Sequence, residues 1–206
     1  MAVKRFSTSL ISDSGQDKSS NFIANYSPAI DEMELIERVR VGSGGTSAIE
    51  FTNIPATYQH LQVRGIGRHV RTVTLDEANI SVRINGDTTS GNYYGYHYLE
   101  GSGSAASAGA ISSGAYVYLG MVLTGSNATS TFGATVFDIL DYASTSKYKT
   151  FRSFAGNDRN GSGTVRVSSS LWMSTSAITS LTMTVGAGAY NFAEYSSFAL
   201  YGVKAP

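Results

Sequence analysis

Ile80-Ser81-Val82-Arg83-Ile84-Asn85-Gly86-Asp87 is the stretch whose reading decides the fold class. Apolar residues at 80, 82 and 84 alternate with Ser81 and Arg83, the two-residue period of a strand that buries one face. Asn85-Gly86-Asp87 closes the run with a strong turn signal, since Asn and Gly tolerate the backbone conformations that tight turns demand.

Upstream, the same grammar repeats. Ser47 to Phe51 reads as a strand ending at Asn53-Ile54-Pro55, whose proline lacks a ladder donor. Tyr58 to Gly67 alternates Leu61, Val63 and Ile66 only approximately, and Gly65 and Gly67 predict a bulge or bend there. Residues 31–41 begin with a helical turn at Asp31 in this reading and continue as a strand through Leu35, Ile36, Val39 and Val41.

Downstream, Tyr93 to Leu99 is an aromatic strand that puts Tyr94, Tyr96 and Tyr98 on one side. The small-residue stretch from Gly101 to Ala115 reads as a long loop or a mobile edge. Ala115 to Leu123 shows Val117, Leu119 and Met121 on one face, alternating with Tyr116, Tyr118 and Val122. Further strands are expected at Thr131–Leu140, Lys147–Phe154, Thr164–Trp172, Ile178–Val185 and Ser196–Val203, with Ile178, Leu181, Met183 and Val185 inward.

That makes ten or eleven strands, and no eleven-residue window has convincing helical period. A half-apolar sheet has to bury one face, so the chain is expected to be all-β with two layers or a closed sheet. A two-layer β-sandwich with Greek-key or jelly-roll wiring is the expected topology; a barrel and an immunoglobulin-like sandwich stay open. Residues 1–34 form the expected N-terminal arm and residues 35–206 the sandwich domain. The arm is rich in Ser, Asn and Asp, and it scatters Phe6, Leu10, Ile11, Phe22, Ile23 and Tyr26 without steady period. Those apolar residues suit docking on a neighbour, whereas the polar background suits a free tail.

The 206 residues are 42% hydrophobic but only 15% charged, against roughly 25% charged in ordinary globular domains. Polarity comes from Ser, Thr, Asn and Gly, which suit turns and close subunit contacts. Fifteen basic and fifteen acidic residues cancel. This argues against a dominant electrostatic grip on nucleic acid and weakens repulsion between copies. Without cysteine there is no thiol catalysis, disulfide or cysteine-based metal site. The first residues, MAVKRFSTSLISDSG, lack the apolar run of a secretory signal, and no stretch approaches the roughly 20 apolar residues of a spanning helix. No membrane insertion is therefore expected. Asn127 and Asn160 match the glycosylation pattern only as composition would produce it.

Catalytic chemistry is hard to assemble. His60, His69 and His97 lack helical ligand spacing, although His60 and His69 meet if a hairpin separates them. Asp138, Asp141 and Asp158 invite a glycosidase reading, which needs two facing carboxylates; Asp158 also fits the turn Gly156–Gly161 without catalysis. No serine stands in a G-x-S-x-G elbow, and Gly42–Gly45 lacks the Lys-Ser/Thr ending of a phosphate loop. No cofactor and no metal ligand set is assigned. Arg64, Arg68, His69 and Arg71 form the strongest basic cluster, for which an inter-subunit ion pair or a solvated loop competes with an anion site. Tyr94, Tyr96 and Tyr98 suit a core, an interface or a glycan-stacking platform, since tyrosine is amphipathic and loses little rotamer entropy.

The stretches KRFSTSLIS, IEFTNIPATYQHLQVRGIGR, VRINGD, FGATVFDILDYASTSKYKT and ITSLTMTVGAGAYNFAEYSSFALYGVK, in that order, resemble a widespread group of tailed-bacteriophage structural proteins, common among phages of marine and freshwater bacteria, cyanophages included. The likeness spans nearly the whole chain and strengthens after residue 35. It implies a non-enzymatic virion component, made in the bacterial cytoplasm and placed at the particle surface as a tail fibre, a spike or a capsid decoration. It further implies homo-oligomers, trimers first, with the arm attached to other capsid or tail proteins and host surface glycan as a candidate ligand. The family carries no catalytic residues onto this chain.

Overall fold

In the strand Glu77–Ile84, Ile80, Val82 and Ile84 are fully buried, as their two-residue period requires. The computed structural model describes residues 32–70, 77–112, 114–124, 130–159 and 161–204. Among them twelve strands occur: β1 (Met33–Arg40), β2 (Ile49–Phe51), β3 (His60–Gly67), β4 (Glu77–Ile84), β5 (Tyr93–Ser102), β6 (Ala105–Ile111), β7 (Val117–Leu123), β8 (Gly133–Ile139), β9 (Lys149–Asp158), β10 (Gly163–Trp172), β11 (Leu181–Val185) and β12 (Ser197–Val203). The described helical structure amounts to two single 3-10 turns. The arm residues Phe6, Leu10, Phe22, Ile23 and Tyr26, and the helical turn expected at Asp31, lie outside the described residues. β1 starts at Met33, pairing Met33 with Val203 and Glu34 with Gly202.

All pairings between strands are antiparallel, and they form two sheets. The larger has the order β1-β12-β3-β8-β9-β10-β5-β6, the smaller β2-β11-β4-β7. Apolar residues that alternate along each strand point into the space between them, where Phe51, Leu61, Val63, Phe137, Phe151 and Phe198 are sealed from solvent. Ile178, Leu181, Met183 and Val185 join this core as expected.

Three departures from simple alternation have local causes. In β7, Leu119 and Gly120 together oppose Ile80, because the register with β4 shifts between Asn79 and Ser81. Gly120 sits at φ +97°, a conformation that costs glycine nothing and a β-branched residue a great deal. The bulge reverses the inside–outside parity beyond it, so Val122 joins the core cluster and Met121 is buried outside it. In β5, Gly95 and Tyr96 together oppose Ser170. Ser170 Oγ donates to the Gly95 carbonyl at 2.6 Å. In β1, Ile36 is the extra residue between Leu35 and Glu37.

The bulge expected at Gly65 and Gly67 is absent, and β3 runs in unbroken register with both neighbours. The glycines answer a packing demand instead. A Cβ at Gly65 would enter the Phe198 ring, and one at Gly67 would meet Val122 and the same ring. Of the long loop or mobile edge expected after Gly101, the structure shows an edge: Ser102 pairs with Ala105 across a two-residue turn at Gly103-Ser104, and β6 is the last strand of the larger sheet.

Turn chemistry joins the sheets. Asn85 and Gly86 both have positive φ, and the Asp87 amide donates to the Ile84 carbonyl at 2.8 Å. The Asn85 side chain accepts from the amides of Thr179 and Ser180 and donates to the Ala177 carbonyl. Asp87 accepts from Trp172 Nε1 at 2.8 Å, from Asn92 Nδ2 at 2.9 Å and from the Thr89 amide at 2.9 Å. Trp172 belongs to the larger sheet, so this carboxylate bridges the two layers. Burial acts to raise its pKa, but those hydrogen bonds outweigh it and hold the group at about 2 against an ordinary 3.8.

Two consequences are measurable. Gly65→Ala should lower the unfolding free energy by about 1–3 kcal/mol in urea titration, as overpacking does; an unchanged midpoint would mean that the Phe198 ring yields freely. Asp87, with its pKa depressed in the fold, contributes stability that is complete above about pH 4 and is lost as pH falls towards 2. Asp87→Asn should therefore flatten the decline in stability between about pH 4 and 2, and the two proteins losing stability in parallel would show that Asp87 is not the group responsible.

Candidate functional site

The larger sheet turns one face towards the smaller sheet and the other away from it. On the outward face the register lines up side chains in rows across the strands. One row runs Arg38, Ala199, Arg64, Val136, Phe154, Val167, Leu99 and Ala108. The next runs Arg40, Ser197, Ile66, Ala134, Gly156, Val165, Gly101 and Ala106. Within these rows Ile66, Phe154, Val165, Val167 and Leu99 are between 46% and 60% exposed. Single exposed apolar residues are ordinary; five large ones on adjoining positions form a patch, which makes this face the candidate site.

A shallow groove of about 910 Å³ crosses this face. Ala134, Gly156 and Ala199 line it with small residues, while Arg64 and Tyr201 stand towards β1, and Phe154 and Val165 towards β10. The Arg64 guanidinium carbon lies 5.7 Å from the Tyr201 ring centroid, within cation–π range. The adjoining row is polar and internally bonded. Arg64 Nε donates to Gln62 Oε1 at 2.5 Å, Gln62 Nε2 to Asp138 Oδ1 at 2.6 Å, and Arg152 Nε to Asp138 Oδ2 at 2.8 Å. The face therefore has an apolar centre beside a hydrogen-bonded polar margin.

Of the basic residues singled out in the sequence, Arg64 alone among the described ones stands on this face. Arg68 is 7% exposed and turned into the fold, where Nη1 donates to the Thr131 carbonyl at 3.1 Å; burial lowers its pKa. Arg71 lies outside the described residues. The expected tyrosine face is also divided. Tyr94, before the β5 bulge, is 39% exposed, whereas Tyr96 is 8% exposed and Tyr98 half-buried. Tyr96 and Tyr98 lie with ring centroids 5.0 Å apart, and Tyr96 meets Tyr118 edge-on at 5.4 Å. The Arg166 guanidinium carbon lies 5.1 Å from the Tyr98 ring. That guanidinium is hydrogen-bonded to Glu100 and, at 2.6 Å, to Asn79 Oδ1, with Glu77 Oε1 3.7 Å away. Arg166, Glu77 and Glu100 are largely buried there, forming a strut between β4, β5 and β10.

The titratable residues do not converge. His60 and His69 lie on one extended run at and beyond β3, so no hairpin brings them together; His69 is buried and stacked on Tyr190 at 4.9 Å, and His97 is exposed on β5. His60 Nδ1 accepts from the Asp141 amide at 3.0 Å. Asp141 is ion-paired with Lys147 at 2.6 Å, and this hydrogen bond leads the causes that lower its pKa. Asp138 pairs across the ladder with Arg152, and Asp158 lies six residues farther along β9, about 20 Å away at strand rise. That is well beyond the roughly 5–9.5 Å that glycosidase carboxylates span. Among the described residues no group of three or more His, Asp or Glu is placed to hold a metal ion.

Lys149, like Arg166, Glu77 and Glu100, is an ionisable side chain that the sequence pattern does not single out. It is fully buried, and Nζ donates to the carbonyls of Lys147 at 2.7 Å, Thr175 at 3.3 Å and Ser174 at 3.4 Å. Burial lowers its pKa. Its inward position on β9 signals structure, because its three donors are spent on local backbone.

No protein-family model matches the chain, and no curated protein matches it. Among solved structures, the crystal structure of a protein of unknown function from Shewanella oneidensis MR-1 aligns over 85% of this chain and 77% of that one, with 11% identity and a TM-score of 0.24. A likeness that slight carries no conclusion about fold or function.

The two faces of β9 should respond differently to truncation. Phe151→Ala, on the sealed side, should cost about 3–5 kcal/mol, whereas Phe154→Ser, on the exposed side, should change stability by less than about 1 kcal/mol. Urea unfolding of both variants checks the assignment, and comparable losses would place Phe154 in the core.

Proposed function

We propose that this chain is a non-enzymatic structural protein of a bacteriophage particle, a β-sandwich of jelly-roll wiring held to the particle through its N-terminal arm. The observation that carries the reading is strand order. Setting aside the hairpins β5–β6 and β9–β10, the eight remaining strands, counted along the chain, run 1-8-3-6 in one sheet and 2-7-4-5 in the other. That order supports a jelly roll, whose two Greek keys give a wiring frequent in viral capsid and lectin domains. The resemblance of the quoted stretches to tailed-phage structural proteins supports the viral use. The ion pairs and hydrogen bonds made by Asp138 and Asp141 fit a scaffold better than a hydrolytic centre.

Both set-aside hairpins extend the larger sheet beyond β8, and they carry four of the five large exposed apolar residues: Phe154, Val165, Val167 and Leu99. In this reading the sandwich is the scaffold and the extension is the assembly surface, used between copies in a homo-oligomer, a trimer first, or against other capsid or tail proteins. A host-glycan platform draws less support, since Tyr94 alone of the three tyrosines exposes more than a third of its surface.

The test uses particles of the phage that encodes the chain. Antibody against the sandwich domain should label intact particles at the tail or over the capsid. Deleting residues 1–30 should leave the domain folded by circular dichroism while the protein drops out of purified particles. Particles free of the protein would sink the virion reading; normal incorporation of the truncated chain would sink the arm.

A further inference from the structure

The outward apolar face of the larger sheet needs a cover, and the described residues supply none. The described chain opens at Glu32, and β1, the strand that follows, is the edge of this same sheet. The preceding segment holds a compact apolar group, Phe22, Ile23 and Tyr26, within seven to eleven residues of Met33.

We propose that Phe22, Ile23 and Tyr26 of the chain's own N-terminal segment seat in the groove lined by Ala134, Gly156 and Ala199, and cover the apolar face of the free protein. Reach fits. Phe154, on the far wall, stands four strand spacings from β1, about 19 Å, in a row about 15 Å along the strand from Met33, hence about 25 Å away on the diagonal. Extended chain at about 3.3 Å per residue carries Tyr26 about 23 Å from Met33 and Phe22 about 36 Å. Phe6 and Leu10 lie much farther from the anchor. Shape fits as well, since small residues on the floor leave room for large rings, and Phe154 and Val165 offer them apolar contact. Tethering favours the chain's own segment over a second copy's, because a short linker holds it at an effective concentration in the millimolar range. The proposal does not rest on the particle assignment. If both hold, removing the segment from the groove frees the arm for attachment and the face for a neighbour in one step.

The absence of native cysteine makes the test direct. Full-length Ile23→Cys/Val136→Cys, oxidised at micromolar concentration, should form an intramolecular disulfide, read as a faster-migrating monomer on non-reducing gels. Ile23→Cys/Glu50→Cys, with its second position on the smaller sheet, should form it at least tenfold less. Equal yields in the two variants, no disulfide in the first, or a covalent dimer as its main product would each overturn the proposal; the dimer would assign the groove to a second copy. An independent reading comes from full-length Phe22→Asp/Ile23→Asp/Tyr26→Asp. Its fluorescence with a hydrophobic dye should rise severalfold at unchanged circular dichroism, and unchanged fluorescence would count against the cover. Both measurements use the isolated chain, so their failure is distinguishable from failure of incorporation into particles.

Discussion

The carboxylate of Asp87 ties the two layers together at the turn after β4, as the Arg166 strut does at the start of that strand. It lies just past the turn that ends β4 in the smaller sheet, and it accepts a hydrogen bond from Trp172 at the end of β10 in the larger one. Sheets packed face to face share a non-directional apolar core, which resists separation but does little to fix how one slides over the other. A charged acceptor with three geometrically defined donors does fix it, and bonds to ionised groups are about twice as strong as neutral ones. The left-handed pair Asn85-Gly86 aims Asp87 at its partners, and the Asn85 amide side chain secures the same turn to residues 177–180.

The sequence alone made much of this legible, and what it withheld was of one kind. Most strand positions, the turn at Asn85-Gly86 and the inward set Ile178, Leu181, Met183 and Val185 follow from local period and turn chemistry. Trp172 as the partner of Asp87 does not, because the two lie 85 residues apart and nothing local links them. Parity beyond a bulge was equally hidden. Period-two counting put Tyr94, Tyr96 and Tyr98 together, yet the extra residue at Gly95-Tyr96 sends Tyr94 outward and Tyr96 inward. Met121 and Val122 changed roles at Gly120 for the same reason.

Glycine and other small residues mislead in a related way. At Gly65 the residue type announced a backbone irregularity, and the true cause was an aromatic ring from β12 packed against a straight strand. In β6 the Ala, Ser and Gly of residues 105–111 suit a loop and an edge equally well, and they form an edge strand with little buried side chain on either face. Composition reports how much volume a position must keep clear. Whether that clearance serves a turn, a ring or an open edge is decided by elements distant in sequence.

The same distance limits what could be read of the candidate site. Ile66, Leu99, Phe154, Val165 and Val167 come from four strands, and in sequence each looks like an ordinary half of an alternating pattern, with nothing to say that its face lacks a covering layer. Only the sheet order makes them neighbours and sets their row against Arg38 and Arg64 at one end and small residues at the other. An apolar outward face on a sheet whose inward face is already sealed adds nothing to the core. Its cost in exposed hydrophobic area persists while the face is bare and disappears once it is covered. That asymmetry is the physical reason to look for function on this face, and not at the carboxylates and histidines, whose bonds are largely made within the fold.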